Sequence, residues 1–253
     1  MADHVAEGHY YSTQIGSKNK VIAWSHQSRF DKALELIGSG TQKLLDYGCG
    51  DGTFLAMASG RFVEGDGVDV DADQIKDCRE RLADDIPNAK FYTNEELSDP
   101  KYDGTYDVVT CMETLEHCTD PVVEIVLADV ARLVAPGGRV VISVPIEIGP
   151  SFLVKQSVRA IARRQGASSY QLQESYPAKD ALRMIFARRG TRFERPLLGE
   201  PPLTGHSHYG FNWRHLRSRV AQHLTVERTL FTPLGFLGGA VSSQAYFVCR
   251  PAR

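Results

Sequence analysis

Between residues 43 and 145, five short apolar runs alternate with stretches of helical period, and no other feature restricts the fold as much. The runs are KLLDY (43–47), FVEGDGVDV (62–70), AKFYT (89–93), YDVVTCM (106–112) and GRVVISV (138–144). Helical patterns fall at 53–59, 72–83 and 121–134, and an upstream stretch at 20–38 sets Ile22, Phe30, Ala33, Leu34 and Ile37 on one face. Strand and helix in alternation dictate βαβ units and a mainly parallel sheet. Asp71 is placed to cap the second helical stretch, and the Gly137-Gly138 pair is expected to stop the third.

Beyond residue 145 the alternation loosens. Helical pieces are expected at 151–165, 178–189 and 212–222, followed by two strands, LTVERTLF and SQAYFVCR. The short link PLGFLGG lets those strands pair antiparallel. The expected architecture is α/β, with a helical insertion after the fifth strand. One domain is expected, comprising an N-terminal cap and helix (1–42), a core (43–145), an insertion (146–223) and closing strands (224–253).

With 42% apolar and 24% charged residues the chain has the composition of a soluble globular protein. It shows no apolar run of membrane-spanning length and no signal-peptide pattern at its start, and five cysteines at irregular spacing make neither a disulfide framework nor a zinc pattern. A reduced, cytoplasmic protein is expected. The net charge of −2 divides unevenly. Residues 1–149 hold 13 Lys and Arg against 26 Asp and Glu, whereas 150–253 hold 16 against 5. The basic half is either placed to meet an anionic ligand or merely offsets the acidic half.

The first strand runs into the turn DYGCGDG, where Gly48, Gly50 and Gly52 precede a helix. A turn without Cβ atoms lets a ligand approach the backbone. A dinucleotide GxGxxG motif would need a small residue where Thr53 stands, so the spacing departs from it. Asp69 closes the second strand 21 residues after Gly48, a position from which a carboxylate can accept both hydroxyls of a ribose.

DYGCGDG resembles the first motif of class I S-adenosylmethionine-dependent methyltransferases, and YDVVTCMETLEHCTDP (106–121) with LVAPGGRVVIS resembles the matching segment of the ubiquinone-biosynthesis O-methyltransferases. The resemblance covers about residues 43–145 and implies a Rossmann-like fold of seven strands, mainly parallel with an antiparallel edge strand. It also implies S-adenosyl-L-methionine as cofactor. Gly48, Cys49 and Gly50 would back its methionine portion, Asp46 would meet its amino group and Arg29 its carboxylate. Asp69 would bind the ribose, Val70 would border the adenine, Asn94 or Glu95 would reach the adenine amine, and Met112 would contact the cofactor.

Glu113, Glu116 and His117 are spaced to share a face if their segment is helical. The resemblance links this pattern to magnesium, and a loop-orienting role for Glu113 and His117 stands beside it. The reading adopted uses no metal and makes His117 the base that deprotonates an acceptor hydroxyl. In the basic half, SFLVKQSVRAIARRQ carries Lys155, Arg159 and Arg163 at four-residue spacing. That stripe is either a solvated face or a grip for a membrane surface or for a phosphorylated or lipid-linked substrate. His206, His208, Tyr209, Phe211, Asn212 and Trp213 either line a pocket or anchor a loop, and Tyr10 and Tyr11 are candidates to close over the cofactor. The expected partner is a small-molecule acceptor, with no nucleic acid. The alternatives are an RNA or protein acceptor, or a cofactor-binding subunit without catalysis.

Overall fold

A computed structural model describes residues 20–164, 176–199 and 204–252. Tyr10 and Tyr11 lie outside the described residues. Seven strands form the main sheet in the order β3-β2-β1-β4-β5-β9-β8. They are β1 (Thr41–Tyr47), β2 (Phe62–Asp69), β3 (Ala89–Thr93), β4 (Tyr106–Met112), β5 (Val134–Pro145), β8 (Leu224–Thr232) and β9 (Gln244–Pro251). A second, two-stranded ribbon pairs β6 (Leu197–Leu198) with β7 (Gly205–His206). The helices are α1 (Lys20–Ile37), α2 (Thr53–Met57), α3 (Ala72–Arg81), α4 (Asp120–Leu133), α5 (Pro150–Arg164), α6 (Ala178–Ile185) and α7 (Trp213–His223).

The first five strands are parallel. Reversal comes at β9, which pairs antiparallel with β5 on one side and β8 on the other, so the reversed strand stands one place in from the edge. The cause is the short β8–β9 link, which allows only antiparallel pairing, with the longer burial of β9 drawing it inward. Six consecutive residues of β9 are buried, whereas β8 is mostly half-exposed.

Period-two alternation assigns the core residues to two faces. Leu45, Val109, Ile142 and Phe247 pack with α4 and α7, among Val123, Leu127, Trp213 and Leu216. Their chain neighbours Leu44, Val108, Val141 and Val248 face the opposite layer, with Phe30 and Ala33 of α1, Phe54 of α2 and Ile75 of α3. The near-continuous Val, Ile and Leu runs of β4 and β5 are thus explained by burial on both faces.

Asp71 caps α3, accepting from the backbone N–H groups of Asp73 and Gln74. Helix α4 ends at Leu133, four residues before the glycine pair expected to stop it. Pro136 disfavours helical geometry at Ala135, so the chain is already extended when it reaches Gly137. Arg219 of α7 holds α4 by pairing with Asp120 and Glu124.

Of the three basic residues at four-residue spacing, Lys155 is engaged within the fold. Lys155 of α5 turns onto the buried carboxylate of Glu147 at 2.7 Å, while Leu153 and Val154 are exposed. The side chains of Val158, Ile161, Ala162 and Arg163 are outside the described set. Phe211 and Trp213 are buried anchors and Asn212 caps α7.

Candidate active site

The strand order reverses between β1 and β4, which leaves a crevice beyond their carboxyl ends. A cavity of about 260 Å³ opens there, lined by Arg29, Asp46, Gly48, Gly50, Met112 and Glu113, with Phe30, Phe54 and Gln74 completing the wall. The turn at its floor takes positive φ at Gly48 (78°), Gly50 (53°) and Gly52 (73°). Steric reasons reinforce two of these. A Cβ on Gly48 would stand 2.3 Å from the Thr114 hydroxyl, and one on Gly52 would stand 2.6 Å from Leu82. The backbone N–H groups of Gly48 and Cys49 donate to the Val68 carbonyl, locking the turn onto β2.

Asp46 is buried, accepts a 2.7 Å hydrogen bond from Thr110 and lines this cavity. Burial pushes its carboxyl up to about 7; the Thr110 bond opposes this and the charge of Asp69 adds to it. A buried carboxylate with so weak a hold on its charge fits an ammonium ligand, whose positive charge would restore ionisation. Arg29 is also buried, and its guanidinium donates to Glu113 at 2.7 Å. Glu113 in turn accepts from Ser143 at 3.0 Å and Gln244 at 3.1 Å. It holds φ at 53°, a left-handed conformation that costs a residue with a Cβ about 1 kcal/mol.

Asp69 ends β2 and fixes the turn from outside, accepting from the N–H of Gly50 at 2.9 Å and of Asp71 at 3.0 Å. Val70 is 61% exposed. Asn94 donates to the Tyr47 hydroxyl at 2.9 Å, and its Oδ1 is buried without a hydrogen bond. Cys49 is buried beside Cys78, whose hydrogen bond, together with burial, pushes its thiol well above the usual range. Of the residues expected to hold the cofactor, Arg29, Asp46, Gly48, Cys49, Gly50 and Met112 therefore line one cavity. Asp69 supports its floor, whereas Val70 and Asn94 stand apart from its lining.

The segment after β4 is a turn and not a helix, so Glu113, Glu116 and His117 do not form one helical face. Glu113 belongs to the Arg29 cluster, and His117 belongs to a second one. His117 is half-exposed, with Nδ1 3.0 Å from the His206 carbonyl and Nε2 3.2 Å from Nε2 of His208. Glu116 is fully buried, neither carboxylate oxygen has a hydrogen bond, and each imidazole Nε2 lies 3.9 Å from it. Burial and the charge of Glu113 raise its carboxyl well above the ordinary value. Glu147 flanks the cluster 3.8 Å from His208. Burial opposes its ionisation, but Lys155, Arg159 and His208 outweigh that and hold it below the usual range. Among the described residues, Glu116, His117 and His208 present ligand atoms within 4.8 Å of one another. His208 was visible in the sequence only as part of a polar-aromatic cluster. The backbone bond from His206 N–H to the His117 carbonyl, 2.7 Å, is what brings it here.

The cavity at the switch point is thus floored by glycines, with an acid near the end of each of the first two strands. Residues 24–193 match the methyltransferase domain family, and the chain belongs to it. Over 104 residues it is 38% identical to the ubiquinone biosynthesis O-methyltransferase of Erwinia tasmaniensis, covering 40% of this chain and 42% of that one. The enzyme of the same name from Thiobacillus denitrificans is 35% identical over 114 residues, covering 45% and 48% respectively. The chain thus spans less than half the length of these curated relatives. Among solved structures, the PH0226 protein of Pyrococcus horikoshii matches with a TM-score of 0.60 at 16% identity, with both chains covered in full. Geranyl diphosphate C-methyltransferase of Streptomyces coelicolor, solved with Mg²⁺, geranyl diphosphate and S-adenosyl-L-homocysteine, matches at 0.56 and 13% identity, covering 97% of this chain and 84% of that one. At such identities the likeness is one of fold.

Proposed function

We propose that this enzyme O-methylates a small hydroxylated metabolite, anionic or carrier-linked, in the reduced setting of the cytoplasm, and that the chain is organised as one domain. The cofactor's ammonium meets Asp46, its carboxylate meets Arg29, and its methionine portion lies over Gly48, Cys49 and Gly50. Its ribose hydroxyls use the outward lone pairs of Asp69, and the adenine lies beside Val70 with its amine toward the open Oδ1 of Asn94. Met112 flanks the sulfonium. Methyl transfer from a sulfonium is an in-line displacement, so alignment of the acceptor supplies much of the rate.

A hydroxyl acceptor must also lose its proton, and one observation carries that role to His117. Its Nδ1–H is taken up by the His206 carbonyl, so Nε2 carries the lone pair, which faces Nε2 of His208 at 3.2 Å and which an acceptor hydroxyl would engage in place of that ring. The five cysteines are free thiols, which supports the reduced compartment, and among the described residues no helix is long and apolar enough to cross a membrane. The test is incubation with methyl-labelled cofactor, fractionated cell extract and a panel of hydroxylated acceptors. With the acceptor identified, His117→Ala should cut turnover about 100-fold or more and leave S-adenosylhomocysteine affinity unchanged.

A second reading is favoured by the buried, unpartnered oxygens of Glu116 facing two imidazoles. Glu116, His117 and His208 form an N₂O set suited to a borderline divalent cation such as zinc or iron(II). A cation there would lower the pKa of a coordinated hydroxyl. Turnover in the extract assay that a chelator abolishes and an added divalent cation restores, and that Glu116→Gln and His208→Ala also lose, would replace the first reading with this one.

A further inference from the structure

Behind the histidine cluster lies a second cavity of about 170 Å³, enclosed by the 191–195 segment, the loop at 206–212 and one face of α7. Its walls carry Arg192, Arg195, Arg219, His206 and His215, against one carboxylate, Asp120. That carboxylate is already committed to Arg219. Arg192 donates to the His215 ring at 2.5 Å, so a guanidinium sits directly against an imidazole. Burial, reinforced by Arg192 and Arg219, lowers the affinity of His215 for a proton. The Nδ1 of His206 on the same wall is buried without a hydrogen bond. Three arginines and two imidazoles from three separate segments converge on a space large enough for a tetrahedral oxyanion. Arg219 is matched by Asp120 and Glu124, which leaves the charge of Arg192 without a carboxylate in the described cavity wall, for an anion to meet.

We propose that this cavity binds a phosphoryl group of the methyl acceptor. The geometry of planar guanidinium forks favours phosphate ester or diphosphate oxygens over a lone hydroxyl. The site is joined to the histidine cluster by backbone. Arg195 donates to the carbonyls of Glu116 and Ser207, and His206 bonds His117 through both its N–H and its carbonyl. A phosphoryl group held here would tether the rest of the acceptor beside His117. The assignment deepens the reading of the acceptor as an anionic metabolite and rests on it for the identity of the ligand.

The experiment is calorimetric titration of the full chain, saturated with S-adenosylhomocysteine, by inorganic phosphate and by pyrophosphate. Arg192 is exposed and its side chain bonds Arg189, Thr191 and His215, while its carbonyl, which accepts from Arg183, is kept in Arg192→Glu, so the fold is expected to persist in this variant. His215→Gln is the second variant, and thermal melts check both. The expected result is saturable binding of one anion per chain, weakened about tenfold or more in either variant, with S-adenosylhomocysteine affinity unchanged. No saturable binding, or binding that both variants leave intact, overturns the site. A second arm treats the cell extract with phosphatase before labelling. Loss of the labelled product assigns the phosphoryl group to the acceptor, and an unaltered product overturns that assignment. Because the titration uses no acceptor, failure of methyl transfer in the extract would sink the acceptor reading without touching the anion site.

Discussion

Arg29 and Glu113, 84 positions apart in the chain, meet at 2.7 Å in the wall of the cavity at the switch point. Helix α1 brings one and the turn after β4 brings the other. The pair is mostly buried, with side-chain exposures of 6% and 17%. Glu113 offsets the charge of the guanidinium and fixes its orientation in the cavity wall. Removing Glu113 would leave a buried cation uncompensated. Glu113→Ala should destabilise the protein by about 3 kcal/mol and also weaken S-adenosylhomocysteine binding. Urea unfolding and calorimetry would measure the two effects separately. Loss of stability without loss of affinity would confine the pair to a structural role.

Asp46 should make cofactor binding depend on pH. Its folded-state pKa is raised to about 7, so the protonated form is the one that folding favours. The stability it contributes is complete below the ordinary carboxylate value and is lost as pH rises through about 7. A cationic amino group reverses this by favouring the ionised form. The affinity for S-adenosylhomocysteine should therefore fall as pH drops below about 7, by up to about tenfold per unit. Asp46→Asn should flatten both the pH dependence of the ligand-free melting temperature and that of the affinity. Equal slopes in wild type and variant would contradict the assignment.

Gly48 is required twice over, by φ of 78° and by the proximity of Thr114. Gly48→Ala should therefore abolish measurable cofactor binding and lower the melting temperature. In a Thr114→Gly background the clash is relieved, while a left-handed strain of about 1–2 kcal/mol remains. The double variant should regain part of the stability lost by the single one. Failure to recover any would show that strain, and not the Thr114 contact, governs the position.

Much of the fold could be read in advance because β4 and β5 are buried on both faces and therefore spell near-continuous Val and Ile runs, while β1, β2 and β3 alternate with helical patterns. The inward placement of β9 could not, since it depends on pairing partners more than 100 residues away, such as Ile142 with Phe247. The glycine turn and Asp69 were legible because their spacing follows from the geometry of one βαβ unit, whereas Asp46 was singled out by the resemblance of DYGCGDG to a known motif. Glu113 was not legible as the partner of Arg29, because nothing local marks a contact across 84 positions. His208 stayed hidden for the same reason. Only the docking of the insertion onto the turn after β4, through His206 and His117, sets its ring against the recognised motif.

The central claim is that the cavity floored by Gly48 and Gly50 holds S-adenosylmethionine, with Asp46 and Asp69 as its two acidic contacts. Calorimetric titration with S-adenosylhomocysteine, run beside NAD on the wild-type chain and on Asp69→Ala, tests it most directly. The account predicts one S-adenosylhomocysteine per chain and no heat from NAD. Affinity in the variant should fall by about tenfold or more, as the ribose loses its carboxylate and Gly50 loses its anchor. Binding of NAD in place of S-adenosylhomocysteine, or an affinity that Asp69→Ala leaves unchanged, would contradict it.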